Sequence, residues 1–164
     1  MRKHKGGTVT FLLTTALALG ACGGGDDPRL TKAEFVEQGS AICGATSARI
    51  ESASQSAFSE PGKIPALDEI SSFAADTVAP TIEEEVERLS ELRPPEDDVE
   101  RIDDILQAGS DGVDTVRQDP TVILNSNDDG FGRYQELSAA YGLENCGGGS
   151  DATRNAISGI TGGG

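Results

Sequence analysis

The sequence predicts an all-α fold, an up-down four-helix bundle. Three observations carry this. Apolar residues recur at steps of three, four and seven through four stretches. Breaks separate those stretches at Ser59-Glu60-Pro61-Gly62-Lys63, Pro94-Pro95 and Asp119-Pro120. Nothing reads strongly as a strand, and no repeat has a fixed period. Short connections between helices of similar length favour antiparallel neighbours.

The first helix opens at Thr31-Lys32-Ala33-Glu34, a capping box in which the Thr hydroxyl takes the Glu34 N–H and the Glu side chain reaches back. It runs to about Ala57. Phe35, Ile42, Thr46, Ile50, Ala53 and Ala57 lie near one face, with Cys43 at its edge. The second helix reads from Pro65, which suits a first turn, to about Leu92. Its apolar positions are Leu67, Ile70, Phe73, Ala74, Val78, Ile82, Val86, Leu89 and Leu92. Pro80 does not shift their phase, so the reading is one helix kinked near Pro80; the competing reading is two helices broken at Ala79-Pro80.

Glu96, Asp97 and Asp98 open the third helix, where acids complement the positive end of the dipole. Val99, Ile102, Ile105, Leu106, Val113 and Val116 mark its buried face. Gly109 and Gly112 either weaken it or admit a close neighbour. Thr121 to Leu124 forms a single apolar turn, and Asn125 to Asp129 a polar loop. The last helix runs from about Asp129 to Tyr141, with Phe131, Tyr134, Leu137 and Tyr141 facing in. Core packing explains this aromatic stripe better than a partner groove. Gly142 fits the left-handed C-cap position, with Leu143 closing the contact.

The start of the chain tells where it works. Arg2, Lys3 and Lys5 precede an apolar run from Thr8 to Leu19, and Leu19-Gly20-Ala21-Cys22 follows. This is the layout of a secretory signal peptide. The run falls short of the roughly 20 residues a spanning helix needs. Lys3 stands where a twin-arginine signal has a second Arg, so general secretion is expected. The ending resembles the lipobox of bacterial lipoproteins, which implies lipidation at Cys22 and cleavage just before it. Acyl chains contribute about 0.8 kcal/mol per buried methylene, so two anchor stably without a transmembrane helix. The expected organisation is a signal peptide over 1–21, a flexible tether over 22–30, the bundle over 31–146 and a Gly/Ser-rich tail of little order over 147–164.

With Cys22 acylated in the lipobox reading, Cys43 and Cys146 remain, and they pair in only one way in a compartment where disulfides persist. The bridge then ties the middle of the first helix to the end of the last.

Three of the thirteen Lys and Arg lie in residues 1–21 and none of the twenty-eight acids does, so residues 22–164 carry a formal net charge of −18. Such a surface repels nucleic acid and anionic headgroups. The only His is His4, within the signal segment, and Trp is absent. Ser-His-Asp and Cys-His catalysis and imidazole zinc sites are thereby excluded from the mature chain. No catalytic constellation and no cofactor motif is present, and an enzyme is not expected.

One local pattern bears on metals. Asn125, Asn127, Asp129 and Glu136 stand at positions one, three, five and twelve of an EF-hand spacing, with Gly130 at six. Asn125 replaces the usual Asp, Gly132 replaces an aliphatic residue, and Pro120 spoils the entering helix. An Asx-rich loop, with Asp128 or Asp129 capping the last helix, accounts for the same residues.

The mature pattern as a whole resembles a family of small bacterial lipoproteins of unknown activity. The residues that carry it are Cys22, Thr31-Lys32-Ala33-Glu34-Phe35 leading to Ala41-Ile42-Cys43, Leu92-Arg93-Pro94-Pro95, and Tyr141-Gly142-Leu143 leading to Cys146. The resemblance implies architecture and location only, and the Gly-rich tail extends beyond it. The expected role is a membrane-anchored, extracytoplasmic, non-catalytic module that binds or scaffolds an envelope protein partner. A weak divalent-cation or small-solute binding lipoprotein is the alternative.

Overall fold

The computed structural model describes residues 29–60, 63–125, 129–149 and 153. The signal segment, Cys22, Asn127 and most of the tether and tail lie outside the described residues. Within them the fold is all-helical, without strands.

Helix α1 spans Lys32–Ala57 and opens on the expected capping box. The Glu34 N–H donates to Thr31 Oγ1 at 3.3 Å, and the Thr31 N–H donates to Glu34 Oε2 at 2.9 Å. The Thr31 hydroxyl also donates to Glu34 Oε2 at 2.7 Å, and this bond, followed by that of the Thr31 N–H, holds the Glu34 carboxyl below its usual range. The buried face drifts from the expected one at its far end, where Ser54 and Phe58 are buried and Ala57 is exposed. Phe58 offers more apolar area than Ala57, and Ser54 tolerates burial because its hydroxyl donates to the Glu51 carbonyl.

The second stretch is helix α2 (Leu67–Phe73), a π-helical turn (Ala74–Val78) and helix α3 (Ala79–Ser90), continuous in that order. The Ala79 N–H donates to the Ala74 carbonyl, five residues back. Pro80 has no N–H to give, and the wider turn before it lets the helix continue. Pro65 lies ahead of the helix, not inside its first turn. Ala66 is the N-cap, and its N–H donates to Glu69 Oε2 at 2.8 Å.

A 3-10 turn (Glu96–Asp98) leads into helix α4 (Val99–Gln118). A second 3-10 turn covers Pro120–Leu124, and helix α5 spans Gly132–Tyr141. Helix α5 starts later than expected because Asp129 Oδ1 accepts the Phe131 N–H and forms a turn ahead of the helix. At its end Gly142 has φ 110°, Leu143 N–H donates to the Ser138 carbonyl and Gly142 N–H to the Ala139 carbonyl. That is the Schellman pairing.

Backbone and side-chain contacts join the ends. Leu30 N–H donates to the Arg93 carbonyl, bringing the start of α1 to the end of α3. Phe58 meets the Phe73 ring at 5.2 Å, and Phe35 meets Tyr141 at 5.9 Å. Tyr141 also donates to Asp98 Oδ2 at 2.9 Å. The Cys43–Cys146 disulfide closes, with Cα atoms 4.6 Å apart.

Packing continues past Cys146, where little order was expected. Gly147, Gly149 and Thr153 are buried, and Thr153 Oγ1 donates to the Gly149 carbonyl. The physical reason is the bridge itself, which brings this segment onto α1. Ser47 donates to the Asn145 carbonyl, and the Glu144 N–H donates to Ser40.

Two glycines of α1 and α4 should respond to substitution in opposite directions. A Cβ on Gly112 would lie 2.6 Å from the Phe131 ring and 2.7 Å from the Gly130 carbonyl oxygen, whereas Gly44 has nothing within 4 Å. Gly44→Ala should stabilise by about 1 kcal/mol through helix propensity. In Gly112→Ala the overpacking penalty of about 1–3 kcal/mol should outweigh that gain. Urea midpoints moving the same way in both variants would contradict this packing.

Candidate functional site

Three consecutive glutamates on α3 take three different partners. Glu83 makes a bidentate pair with Arg117 of α4, at 2.6 and 2.9 Å. Glu84 pairs with Arg49 of α1. Both pairs are solvent-exposed and contribute little to stability. Glu85 points inward. It sits three residues after Ile82 and four before Leu89, on the same apolar face, and is fully buried.

Its surroundings come from α1, α5 and the segment after α5. Glu85 Oε1 accepts the Tyr134 hydroxyl at 2.9 Å and the Gly147 N–H at 3.1 Å. Oε2 has no hydrogen-bond donor. Burial pushes the Glu85 carboxyl up to about 7, against the Gly147 amide, the Tyr134 hydroxyl and the nearby Thr46 hydroxyl, all of which favour the charged form. The Thr46 hydroxyl assists without completing a hydrogen bond to Oε2. Burial, followed by the Glu85 charge, raises the Tyr134 phenol strongly. A Glu85 carboxylate oxygen and the sulfurs of Cys43 and Cys146 all lie within 4.8 Å of one another. The site is therefore a closed acid beside a disulfide, suited to holding a proton or, with the sulfurs released, a cation.

Sequence reasoning placed Cys43 and Cys146 together and missed Glu85. The available signal was its register: of the three glutamates, only Glu85 is spaced to fall between Ile82 and Leu89 on the apolar face.

The EF-hand spacing is placed differently. Asn125 is exposed and its N–H donates to the Val122 carbonyl, closing the second 3-10 turn. Asp129 is buried and accepts the Phe131 amide. Glu136 lies on the exposed side of α5 and pairs with Arg133 at 3.0 Å. Phe131, Tyr134 and Tyr141 are all buried, in keeping with core packing.

No family description, no curated protein and no solved structure matches this chain.

Glu85 makes stability depend on pH with a definite sign. Its folded pKa, about 7, exceeds the ordinary 4.5 expected on unfolding. The folded chain thus binds more proton between these values, and stability falls as pH rises through that window. The loss attributable to Glu85 is about 3 kcal/mol, from about 1.4 kcal/mol per pKa unit. In thermal melts, Glu85→Gln should gain on the wild type steadily from pH 4.5 to 7 and level off above. A difference that stays constant across the window would remove Glu85 as its source.

Proposed function

We propose that the mature chain is a lipid-anchored, extracytoplasmic binding or scaffolding module, without catalysis, folded as an up-down bundle. The bundle topology is supported by the joined ends: α1 begins beside the end of α3 and ends against α2, and α5 ends beside the start of α4. None of the helices among the described residues is long and apolar enough to cross a membrane. Membrane attachment therefore rests on the lipobox and Cys22.

One observation carries the binding reading. The large apolar side chains exposed among the described residues are Ile64 at 70%, Leu67 at 57% and Leu124 at 38%. Ile64 and Leu67 flank the start of α2, and Leu124 ends the 3-10 turn that α2 packs against. The chain enters the bundle at Arg29-Leu30, beside Arg93, at the other end of α1. The 26 residues of α1 separate the two ends. At 1.5 Å per residue this is about 39 Å. An anchor at one end and an apolar surface at the other suit a protein that reaches from a membrane toward an envelope partner.

Two experiments test this reading. Cys22→Ala should move the protein from the membrane fraction to the soluble one; unchanged tight membrane association defeats the anchor. In-cell photo-crosslinking should capture a dominant envelope protein, and Leu67→Asp should reduce that capture by about fivefold or more, the scale of one apolar anchor residue. Because Leu67 is exposed, the variant should melt as the wild type does. Equal capture from both would leave the apolar end without a role.

A further inference from the structure

Glu85, Cys43 and Cys146 come from α3, from α1 and from the segment after α5, and all three are buried. A carboxylate oxygen of Glu85 and both sulfurs lie within 4.8 Å of one another. Two donors, the Tyr134 hydroxyl and the Gly147 N–H, occupy Oε1, while Oε2 has none. A fully buried carboxylate oxygen without a partner is uncommon, because the lost solvation is not replaced.

The sulfurs of a disulfide are poor metal ligands. Two thiolates and a carboxylate at the same place are a donor set for a borderline-soft divalent cation. We propose that the reduced chain binds one zinc-class divalent cation through Cys43, Cys146 and Glu85, so that cation and disulfide exclude each other. Metal–sulfur bonds of about 2.3 Å at a tetrahedral angle hold two sulfurs about 3.8 Å apart, which an intact S–S bond forbids.

The chemistry balances with an external dithiol. It gives two electrons and two protons to the Cys43–Cys146 bond, which becomes two thiols, and it closes to its own disulfide. Binding of the cation then releases both thiol protons, together with the carboxyl proton where one is held. The three ligands carry three negative charges and the cation leaves one, so the buried set is far less costly with the cation than without it. The Tyr134 hydroxyl and the Gly147 N–H fix the carboxylate from behind, as outer partners do in metal sites. Thr46, buried one turn along α1 from Cys43, brings its hydroxyl near Glu85 as well.

The test uses the full chain carrying Cys22→Ala, so that no third thiol is present. The protein is reduced with a phosphine, which forms its oxide with oxygen from water, and is titrated with Cd2+ as the probe. The thiolate-to-cadmium absorption should saturate at one ion per chain in the reduced protein and be absent in the oxidised one. Chelator competition should show Glu85→Gln binding at least about tenfold more weakly. Circular dichroism follows the helices at each step. Failure of the reduced chain to take up one ion, whether or not it keeps its helices, overturns the proposal. So does equal uptake by the oxidised protein, which would assign the ion to the acidic surface. Unchanged affinity in Glu85→Gln overturns it as well, because the thiols alone would then be the chelator.

Discussion

The centre of this fold is a carboxyl group that has to be accommodated. An ionised carboxylate in an apolar interior costs several kcal/mol unless donors replace its water. Glu85 receives two, from Tyr134 and from the Gly147 backbone, and the remaining oxygen receives none. The Gly147 donor is not part of any helix. It reaches Glu85 because Cys146, one residue earlier, is bonded to Cys43 on α1. The solvation of Glu85 and the bridge are therefore one device: without the bond, the segment after α5 has less reason to lie over α3.

The same bond compensates for a light core. Trp is absent, and alanines and glycines fill several contact positions in α3 and α4. Close helix approach recovers part of the lost area. Gly109 lies against Val86 and Tyr134, and Gly112 lies against Phe131. The bridge closes a sequence separation of 103 residues. For a loop of that length the chain-entropy model gives about 4.7 kcal/mol. Measured against the 5–15 kcal/mol typical of a folded domain, that is a substantial share.

Local signals were legible where one residue type has one physical job. Thr31 with Glu34, Gly142 before Leu143, and Pro94-Pro95 each marked a helix end that the structure keeps. Cys43 and Cys146 were paired through the lipobox reading, and they are bonded. Periodicity served less well where its assumptions lapse. Along α1 the expected face passed through Ala53 and Ala57, two small residues with little area to bury, and the larger Phe58 drew the core toward itself. Glu85 was hidden because a glutamate is read as solvated by default. Its burial depends on Tyr134 and Gly147, which are 49 and 62 residues away. No window of local sequence contains them. The order at Gly147, Gly149 and Thr153 was hidden likewise: glycine composition reads as tail, while the bridge makes it a cover.

The two ends of the bundle are finished in different ways, and the difference bears on the apolar surface. Where the chain enters, Phe35 and Tyr141 stack edge to face, Tyr141 donates to Asp98, and the Lys32 ammonium sits 4.5 Å from the Tyr141 ring centre. Polar groups thus cover the aromatic pair on its water side. At the opposite end Phe58 and Phe73 form a similar pair. Nearby, Lys63 is drawn aside to Glu60 and Glu69, and Ile64 and Leu67 meet water. In a chain this acidic, a charged residue at either position would have served solubility at little cost. Keeping two aliphatic side chains there, beside a charge pair already satisfied, favours a surface that is covered when the protein is at work. In the lipid-anchored reading proposed above, a partner covering these side chains would meet the bundle at the end opposite Arg29-Leu30, where the described chain begins.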